Sequence, residues 1–139
     1  MRGHKPIMLV EDNQVDVMTV QRALKDLNVT NRLAIASDGE EALAYLRDAE
    51  NEKPCVILLD INMPRMNGIE FLREAKQDKK LRRIPVVVLT TSGEEQDKVD
   101  SFDLSVAGYI LKPVDYQHFV EAMKTIDMYW SLSELPPEA

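Results

Sequence analysis

The chain has 139 residues, of which 45% are hydrophobic, and this fits one globular domain with a full core. Lys and Arg number 17 against 24 Asp and Glu, and the resulting formal charge of -7 argues against nucleic acid as a direct partner. The single cysteine excludes an internal disulfide, and the sequence has no signal-peptide pattern and no apolar stretch near the ~18 residues that span a membrane. We therefore expect a cytoplasmic location and no membrane partner.

The first half of the chain alternates between apolar runs and helical patterns. An apolar run at residues 7–10 predicts a first strand, and apolar residues at helical spacing then predict a helix over residues 14–28. Residues 32–36 are predicted as a second strand. A cap-like segment at residues 37–40 precedes the second helix. An uninterrupted apolar run at residues 55–59 predicts a third strand that is buried on both faces.

The second half repeats this alternation. A third helix is predicted to open at Asn67, a fourth strand covers residues 86–89, and an acidic helix covers residues 94–104. Residues 108–111 form the fifth predicted strand. Asp115 is the expected N-cap of the last helix, which has the strongest amphipathic pattern in the chain. Five strand–helix units in series predict a parallel sheet with helices on both faces, but periodicity alone leaves the strand order open.

Polar side chains stand where four of the predicted strands end. Glu11 and Asp12 follow the first strand, and Asp60 follows the third. Thr90 follows the fourth strand, and Lys112 follows the fifth. The carboxyl ends of parallel strands meet at one edge of an open α/β sheet, where ligands bind. Each residue alone has an ordinary explanation as a turn, strand-end or surface residue, so the signal is their joint arrangement.

Like charges at ~4 Å repel by roughly 1–4 kcal/mol, so two of three clustered carboxylates would tend to protonate unless a cation intervenes. Mg²⁺ prefers oxygen ligands, and Glu11, Asp12 and Asp60 could supply them with a backbone carbonyl near Asn62. Beside such an ion, an aspartate can be a ligand, a base or a nucleophile that forms an aspartyl-phosphate. These residues therefore predict a site for a divalent cation and a phosphoryl group.

Two further groups suit phosphoryl transfer, which depends mostly on positioning and on charge neutralisation. Thr90 offers a hydroxyl donor, and Lys112 offers a compact cation. Pro113 follows the lysine, and a cis Lys112-Pro113 peptide bond would aim the lysine side chain inward.

These residues form a pattern that resembles the receiver domains of response regulators. The motifs that carry the resemblance are Val10-Glu11-Asp12-Asn13, Leu59-Asp60-Ile61-Asn62-Met63-Pro64, Met66-Asn67-Gly68, Leu89-Thr90-Thr91 and Leu111-Lys112-Pro113. The resemblance implies a flavodoxin-like (CheY-like) α/β fold. This is a three-layer αβα sandwich with five helices and a five-stranded parallel sheet in the order 2-1-3-4-5. It covers residues 5–130, and residues 131–139 would be a C-terminal extension.

The resemblance also implies a role for each residue at the strand ends. Asp60 would be the phosphoacceptor, and Lys112 would pair with a phosphoryl oxygen. The ligands of Mg²⁺ would be the side chains of Glu11, Asp12 and Asp60 and the backbone carbonyl of Asn62. The chain would thus catalyse only its own phosphorylation and dephosphorylation, and would not be an enzyme with a separate substrate.

Thr90 and Tyr109 would form the switch. By resemblance, the Thr90 hydroxyl moves to the phosphoryl group, and the Tyr109 ring turns inward into the space that is vacated. The surface of the fourth helix, fifth strand and last helix would then change shape and signal to a partner protein. The implied function is that of a single-domain response regulator in a two-component phosphorelay, phosphorylated by a cognate sensor histidine kinase.

The chain also looks like the stand-alone receivers that partner phytochrome-type histidine kinases. The cues are Asp16 near the first acidic motif, the long segment before Pro85 and the extension after the last helix. The apolar stretch around Trp130 indicates an interface. We expect this end to support dimerisation or the docking of a partner, and a homodimer would form either through the switch surface or through the C-terminal end.

Three other hypotheses stay open. An aspartate-nucleophile phosphohydrolase would need a second aspartate two residues after the nucleophile, where this chain has Asn62. A flavin- or nucleotide-binding module would need a glycine-rich loop after the first strand, where the chain has Glu11 and Asp12. A receiver-like module that binds partners without phosphorylation does not require the acids, Thr90 and Lys112, which are all present.

Overall fold

The computed structural model describes residues 5–91, 93–112 and 115–132, with side chains up to Lys124. Strands and helices alternate along it. The strands are β1 (Ile7–Val10), β2 (Leu33–Ala36), β3 (Val56–Asp60), β4 (Val86–Thr90) and β5 (Gly108–Leu111). The helices are α1 (Gln14–Asp26), α2 (Gly39–Arg47), α3 (Gly68–Gln77), α4 (Gly93–Ser101) and α5 (Tyr116–Leu132).

The five strands form one sheet in the order β2-β1-β3-β4-β5, and every pair of neighbours is parallel. The three central strands are buried on both faces, as their continuous apolar sequences predict. This confirms the predicted fold class and the strand order that the resemblance implies. β1, β3 and β4 are consecutive in the sheet and parallel, so their carboxyl ends lie side by side.

The helices cover both faces of the sheet, which gives the three predicted layers. α2, α3 and α4 pack on one face, where Leu43, Phe71 and Val99 belong to one buried cluster. α1 and α5 pack on the other face, where Val20 and Phe119 belong to a second cluster. Among the described residues, no helix combines the length and the apolar character needed to cross a membrane.

Side-chain caps fix where the helices begin. The side chains of Asn13, Asp38 and Asn67 each accept a hydrogen bond from the backbone N–H three residues later. Asp115 does the same for the N–H of His118, which confirms it as the cap of α5. These caps satisfy N–H groups that have no partner within the helix, so each helix starts at a defined residue.

Two helices end earlier than the sequence pattern predicts. α1 ends at Asp26 rather than at residue 28, because Asn28 has a left-handed backbone with φ of 57°. α4 ends at Ser101 rather than at residue 104, because Asp103 is left-handed, with φ of 53°. Asn and Asp tolerate this conformation better than most residues, and it turns the chain out of the helix. α5 reaches Leu132, and residues 133–139 lie outside the described residues, so the boundary at residue 131 stays a prediction.

Candidate functional site

The register of the sheet brings the first and third strand ends together. Val10 pairs with Leu59, so the residues that follow them, Glu11 and Asp60, lie side by side. Asp12 is next in the chain and is exposed. One carboxylate oxygen from each of the three acids lies within 4.8 Å of the others. The strand order therefore produces the acidic cluster that the sequence predicts.

Glu11 and Asp60 are the buried acids of this cluster. Glu11 is 2% exposed and Asp60 is 1% exposed. Burial raises the pKa of Glu11 to about 7, helped by the neighbouring Asp60 carboxylate and opposed by Lys112 and by the Asn13 N–H. The backbone N–H of Asn62 donates to Asp60 Oδ1 at 3.1 Å. A cation at this position would favour the ionised form of Glu11.

Lys112 extends into the cluster from the end of β5. Its backbone N–H donates to the Thr90 carbonyl at 2.7 Å, which places it directly beyond the β4 and β5 ends. Its Nζ lies 3.0 Å from Glu11 Oε1, 3.2 Å from Asp16 Oδ2 and 3.3 Å from Asp60 Oδ2. Burial alone would lower the pKa of Lys112, but the hydrogen bond and charge of Glu11, the charge of Asp60 and the bond to Asp16 outweigh it. The pKa of the lysine is therefore raised above its ordinary value.

Asp16 is a site residue to which the sequence pattern assigned no chemical role. It lies in the first turn of α1, is 5% exposed and pairs with Lys112. The sequence did contain an indication that Asp16 is buried, because Asp16 precedes Val20 by four residues and Ala23 by seven. It therefore lies on the buried stripe of the helix. A carboxylate on a buried stripe needs a partner, and Lys112, directly after β5, pairs with this one.

The Thr90 hydroxyl is fully buried and donates to Glu95 Oε1 at 2.9 Å. The Thr91 N–H and the Thr91 hydroxyl donate to the same oxygen at 2.6 Å and 2.8 Å. The Asn62 side-chain amide donates to Glu95 Oε2. Burial alone would raise the pKa of Glu95, but the bonds from Thr91, Thr90 and Asn62 outweigh it and lower that pKa. Glu95 is a second residue that the sequence analysis missed, and no periodicity distinguishes it from the other acids of α4.

Tyr109 lies away from the acidic cluster. Its ring packs against the buried cluster beneath α2, α3 and α4, and its hydroxyl donates to Asp100 Oδ1 of α4 at 2.7 Å. Burial and the Asp100 carboxylate raise the pKa of Tyr109 to about 12. Tyr109 is thus hydrogen-bonded to α4 in the structure.

Pro113 and the Trp130 side chain lie outside the described residues, so the predictions on the cis peptide bond and on the apolar C-terminal end stay predictions.

The donor set of the acidic cluster fits a hard divalent cation. Glu11 Oε1 is buried and accepts no hydrogen bond from the described residues, with only the Lys112 amine at ion-pair distance. The cluster consists of Glu11, Asp12 and Asp60, so every side-chain ligand atom it offers is a carboxylate oxygen. Oxygen ligands of this kind suit Mg²⁺ or Mn²⁺ and do not suit a metal that prefers sulfur or imidazole.

The chain is similar in sequence to known proteins. A family described as the response regulator receiver domain matches residues 7–124. Response regulator Rcp1 of Synechocystis sp. is 41% identical over 130 residues, which cover 91% of this chain and 88% of that protein.

Solved structures agree with the sequence match. The crystal structure of the phosphorylated cyanobacterial phytochrome response regulator RcpA is 43% identical, with a TM-score of 0.83. The alignment covers 97% of this chain and all of RcpA. The Mn²⁺-bound form of response regulator Rcp1 is 38% identical with a TM-score of 0.80, over 96% of this chain and 99% of that one.

Receiver domains are signalling switches that interact with histidine kinases and bind Mg²⁺ or Mn²⁺ in an acidic pocket. The sheet order, the acidic cluster and the match over most of its length show that this chain belongs to the response regulator receiver domain family.

Proposed function

We propose that this receiver domain accepts a phosphoryl group on Asp60 from a sensor histidine kinase and signals through the surface of α4, β5 and α5. The observation that carries the proposal is the environment of Asp60. Its carboxylate is almost fully buried at a strand end, 3.3 Å from Lys112 Nζ and clustered with Glu11 and Asp12. A carboxylate beside a cation site and a lysine is the arrangement that aspartyl-phosphate formation requires.

The acidic cluster would hold Mg²⁺ through Glu11, Asp12, Asp60 and the backbone carbonyl of Asn62. When bound, the ion would neutralise the charge that develops on the phosphoryl oxygens. The protein's own groups orient the nucleophile. The Asn62 N–H donates to Asp60 Oδ1, while Asp60 Oδ2 faces the Lys112 amine. An oxygen of Asp60 forms the new bond to phosphorus as the bond from phosphorus to the donor breaks.

The phosphoryl group would then act on the switch residues. It adds up to about two negative charges and three strong acceptors. Thr90, one strand away from Asp60, would donate its hydroxyl to this group, and the Tyr109 ring would turn inward. In the structure, the Tyr109 hydroxyl bonds to Asp100 of α4, so rotation of the ring would alter the α4 surface directly. The chemistry proposed for the chain is limited to its own phosphorylation and dephosphorylation.

The similarity to RcpA and Rcp1 supports a phytochrome-type histidine kinase as the cognate kinase, in the cytoplasm. A homodimer through α4, β5 and α5, or through the C-terminal end, belongs to the same proposal. Two large apolar side chains support the first surface. Leu111 of β5 is 62% exposed, and Phe102, directly after α4, is 45% exposed.

Phosphorylation of Asp60 is tested by incubation with acetyl phosphate and Mg²⁺, followed by intact mass measurement. We expect the wild-type protein to gain the mass of one phosphate and Asp60→Asn to gain none, because an amide is a far poorer nucleophile than a carboxylate. Asp48→Asn, which changes the exposed aspartate directly after α2, serves as the matched control and should gain the phosphate. A folded wild-type protein that binds Mg²⁺ and gains no mass would refute the proposal, and rapid turnover of a generic phosphomonoester would support the phosphohydrolase instead.

The metal site has its own test. Asp12→Asn should weaken Mg²⁺ binding by about tenfold, since it removes one carboxylate charge from the cluster. Asp12 is exposed, and none of its interactions in the structure holds Lys112, so the fold should be unaffected. Isothermal titration of the folded proteins with Mg²⁺ measures the effect, with Asp48→Asn as the control for a lost surface charge. Equal affinities of Asp12→Asn and the wild type would show that Asp12 is not a ligand.

A further inference from the structure

The carboxylate of Glu95, in the first turn of α4, lies where several hydrogen-bond donors converge. Its Oε1 accepts from the Thr90 hydroxyl at 2.9 Å, from the Thr91 N–H at 2.6 Å and from the Thr91 hydroxyl at 2.8 Å. Its Oε2 accepts from the Asn62 side-chain amide. Donors from the ends of β3 and β4 thus surround one anionic group, which is also what a phosphoryl group at this edge of the sheet would require.

These donors cannot serve two anions at once. The Thr90 hydroxyl has a single O–H, so it donates to one acceptor at a time. In the structure that acceptor is Glu95, and it would have to be the phosphoryl group after phosphorylation of Asp60. A phosphoryl group with about two negative charges would also repel a carboxylate that shares the same donors. Glu95 and a phosphoryl group therefore cannot occupy these donors at the same time.

α4 is held on the sheet by few contacts, so loss of the Glu95 hydrogen bonds would affect the whole first turn of the helix. Among the side chains of α4, all of which the structure describes, only Val99 is buried. The helix bonds to the strand ends through Glu95 in its first turn and to Tyr109 of β5 through Asp100 near its last turn. Loss of the Glu95 bonds would free the first turn of the helix, because few apolar contacts hold it on the sheet.

We infer that Glu95 is a positioning residue that occupies the donors of Thr90, Thr91 and Asn62 in the resting state, and that a phosphoryl group on Asp60 displaces it. The inference rests on the proposed phosphorylation of Asp60. Glu95 acts as an intramolecular competitor of the phosphoryl group: it slows phosphorylation, and its displacement transmits the event to α4. The chain thereby couples the chemistry of the strand ends to one helix of the switch surface.

Three variants test the inference. Glu95→Ala removes the competing acceptor, and Glu95→Gln keeps the shape of the side chain but loses the charge. Glu94→Ala removes an exposed acid from the same turn and controls for net charge. In time-resolved intact mass measurements with acetyl phosphate and Mg²⁺, we expect Glu95→Ala to be phosphorylated about tenfold faster than the wild type. Glu95→Gln should lie between them, and Glu94→Ala should match the wild type.

A second readout does not depend on the phosphorylation rate. The Thr91 N–H donates a hydrogen bond to the Glu95 carboxylate, so the NMR resonance of this amide proton should lie downfield in the wild-type protein. The resonance should move upfield in Glu95→Ala, which lacks the acceptor. Phosphorylation of the wild type should also move this resonance, because the acceptor of the Thr91 N–H changes from the Glu95 carboxylate to a phosphoryl oxygen. Equal phosphorylation rates of Glu95→Ala and the wild type would overturn the inference, as would a Thr91 resonance that does not respond to phosphorylation. A wild type that gains no phosphate would instead refute the proposed function, and the inference with it.

Discussion

Replacing Lys112 with methionine is expected to lower the free energy of unfolding by about 3–5 kcal/mol in the absence of divalent cations. The Lys112 amine lies within 3.3 Å of carboxylate oxygens of Glu11, Asp16 and Asp60, and each of these acids is at most 5% exposed. Methionine keeps the approximate length of the side chain and removes the charge together with the N–H donors. Three buried carboxylates would then lack their cation, and such uncompensated charges destabilise a fold strongly. Urea denaturation at pH 8 measures the loss.

The choice of pH follows from the direction of the Lys112 shift. The pKa of this lysine is raised in the folded protein. Its contribution to stability is therefore complete below the ordinary lysine pKa of about 10.4, and it is lost only as the pH rises through the higher folded value. At pH 8 the whole contribution is present, so the variant should show its full deficit.

A control and a rescue separate the effect of Lys112 from a general loss of positive charge. Lys98→Met changes an exposed lysine of α4 and should alter stability by less than about 0.5 kcal/mol. Addition of Mg²⁺ should restore part of the stability of Lys112→Met, because the ion would neutralise the same carboxylates. If Lys112→Met is as stable as Lys98→Met without Mg²⁺, the lysine is not needed to balance the acidic cluster.

Gly68→Ala should lower the free energy of unfolding by about 2–3 kcal/mol, although alanine normally stabilises a helix relative to glycine by about 1 kcal/mol. A Cβ at this position would lie 2.7 Å from the Asp60 carbonyl oxygen and 2.7 Å from Ile61 Cα. Both atoms belong to the backbone, so no side-chain rotation can relieve the overlap. Either the start of α3 or the Asp60–Ile61 backbone must shift, and we also expect slower phosphorylation of Asp60. Thermal and urea denaturation measure the change in stability.

The matched control is Gly93→Ala. Gly93 is also the first residue of a helix, and a Cβ there would meet no atom within 4 Å. The ordinary helical preference should then apply, and we expect Gly93→Ala to be neutral or more stable by up to about 1 kcal/mol. Equal stabilities of the two alanine variants would show that the close approach of α3 to Asp60 can relax without cost.

The strands were predictable to within one residue, because continuous apolar runs such as residues 55–59 and 86–89 have few alternatives to a buried parallel strand. Helix ends were harder to predict. The pattern of α4 suggests a helix up to residue 104, yet the chain leaves the helix after Ser101 because Asp103 is left-handed. Apolar periodicity reports which face of a segment is buried, and it does not report where the backbone turns.

The strand-end acids were predictable for a related reason. In a parallel sheet, residues that follow the strands meet at one edge, so Asp12 and Asp60 converge without any knowledge of the helices. The partner of Thr90 was not predictable. The sequence indicates a hydroxyl donor for a phosphoryl group, and in the structure this hydroxyl donates to Glu95. Glu95 belongs to a helix whose position on the sheet depends on packing through Val99 and on the connection from β4.

The amino-acid sequence was enough to establish the class of fold and the order of the chemical groups along the chain, because apolar runs and helical stripes set which segments are strands and which are helices. It also determined that the acidic groups share one edge of the sheet. The pairing of charges and donors became visible in the folded structure alone. Lys112 pairs with Asp16 of α1 as well as with the acids at the strand ends, and Thr90 pairs with Glu95 of α4. Such pairs join residues on different elements, and their distances depend on how helices pack on the sheet, which no local pattern encodes.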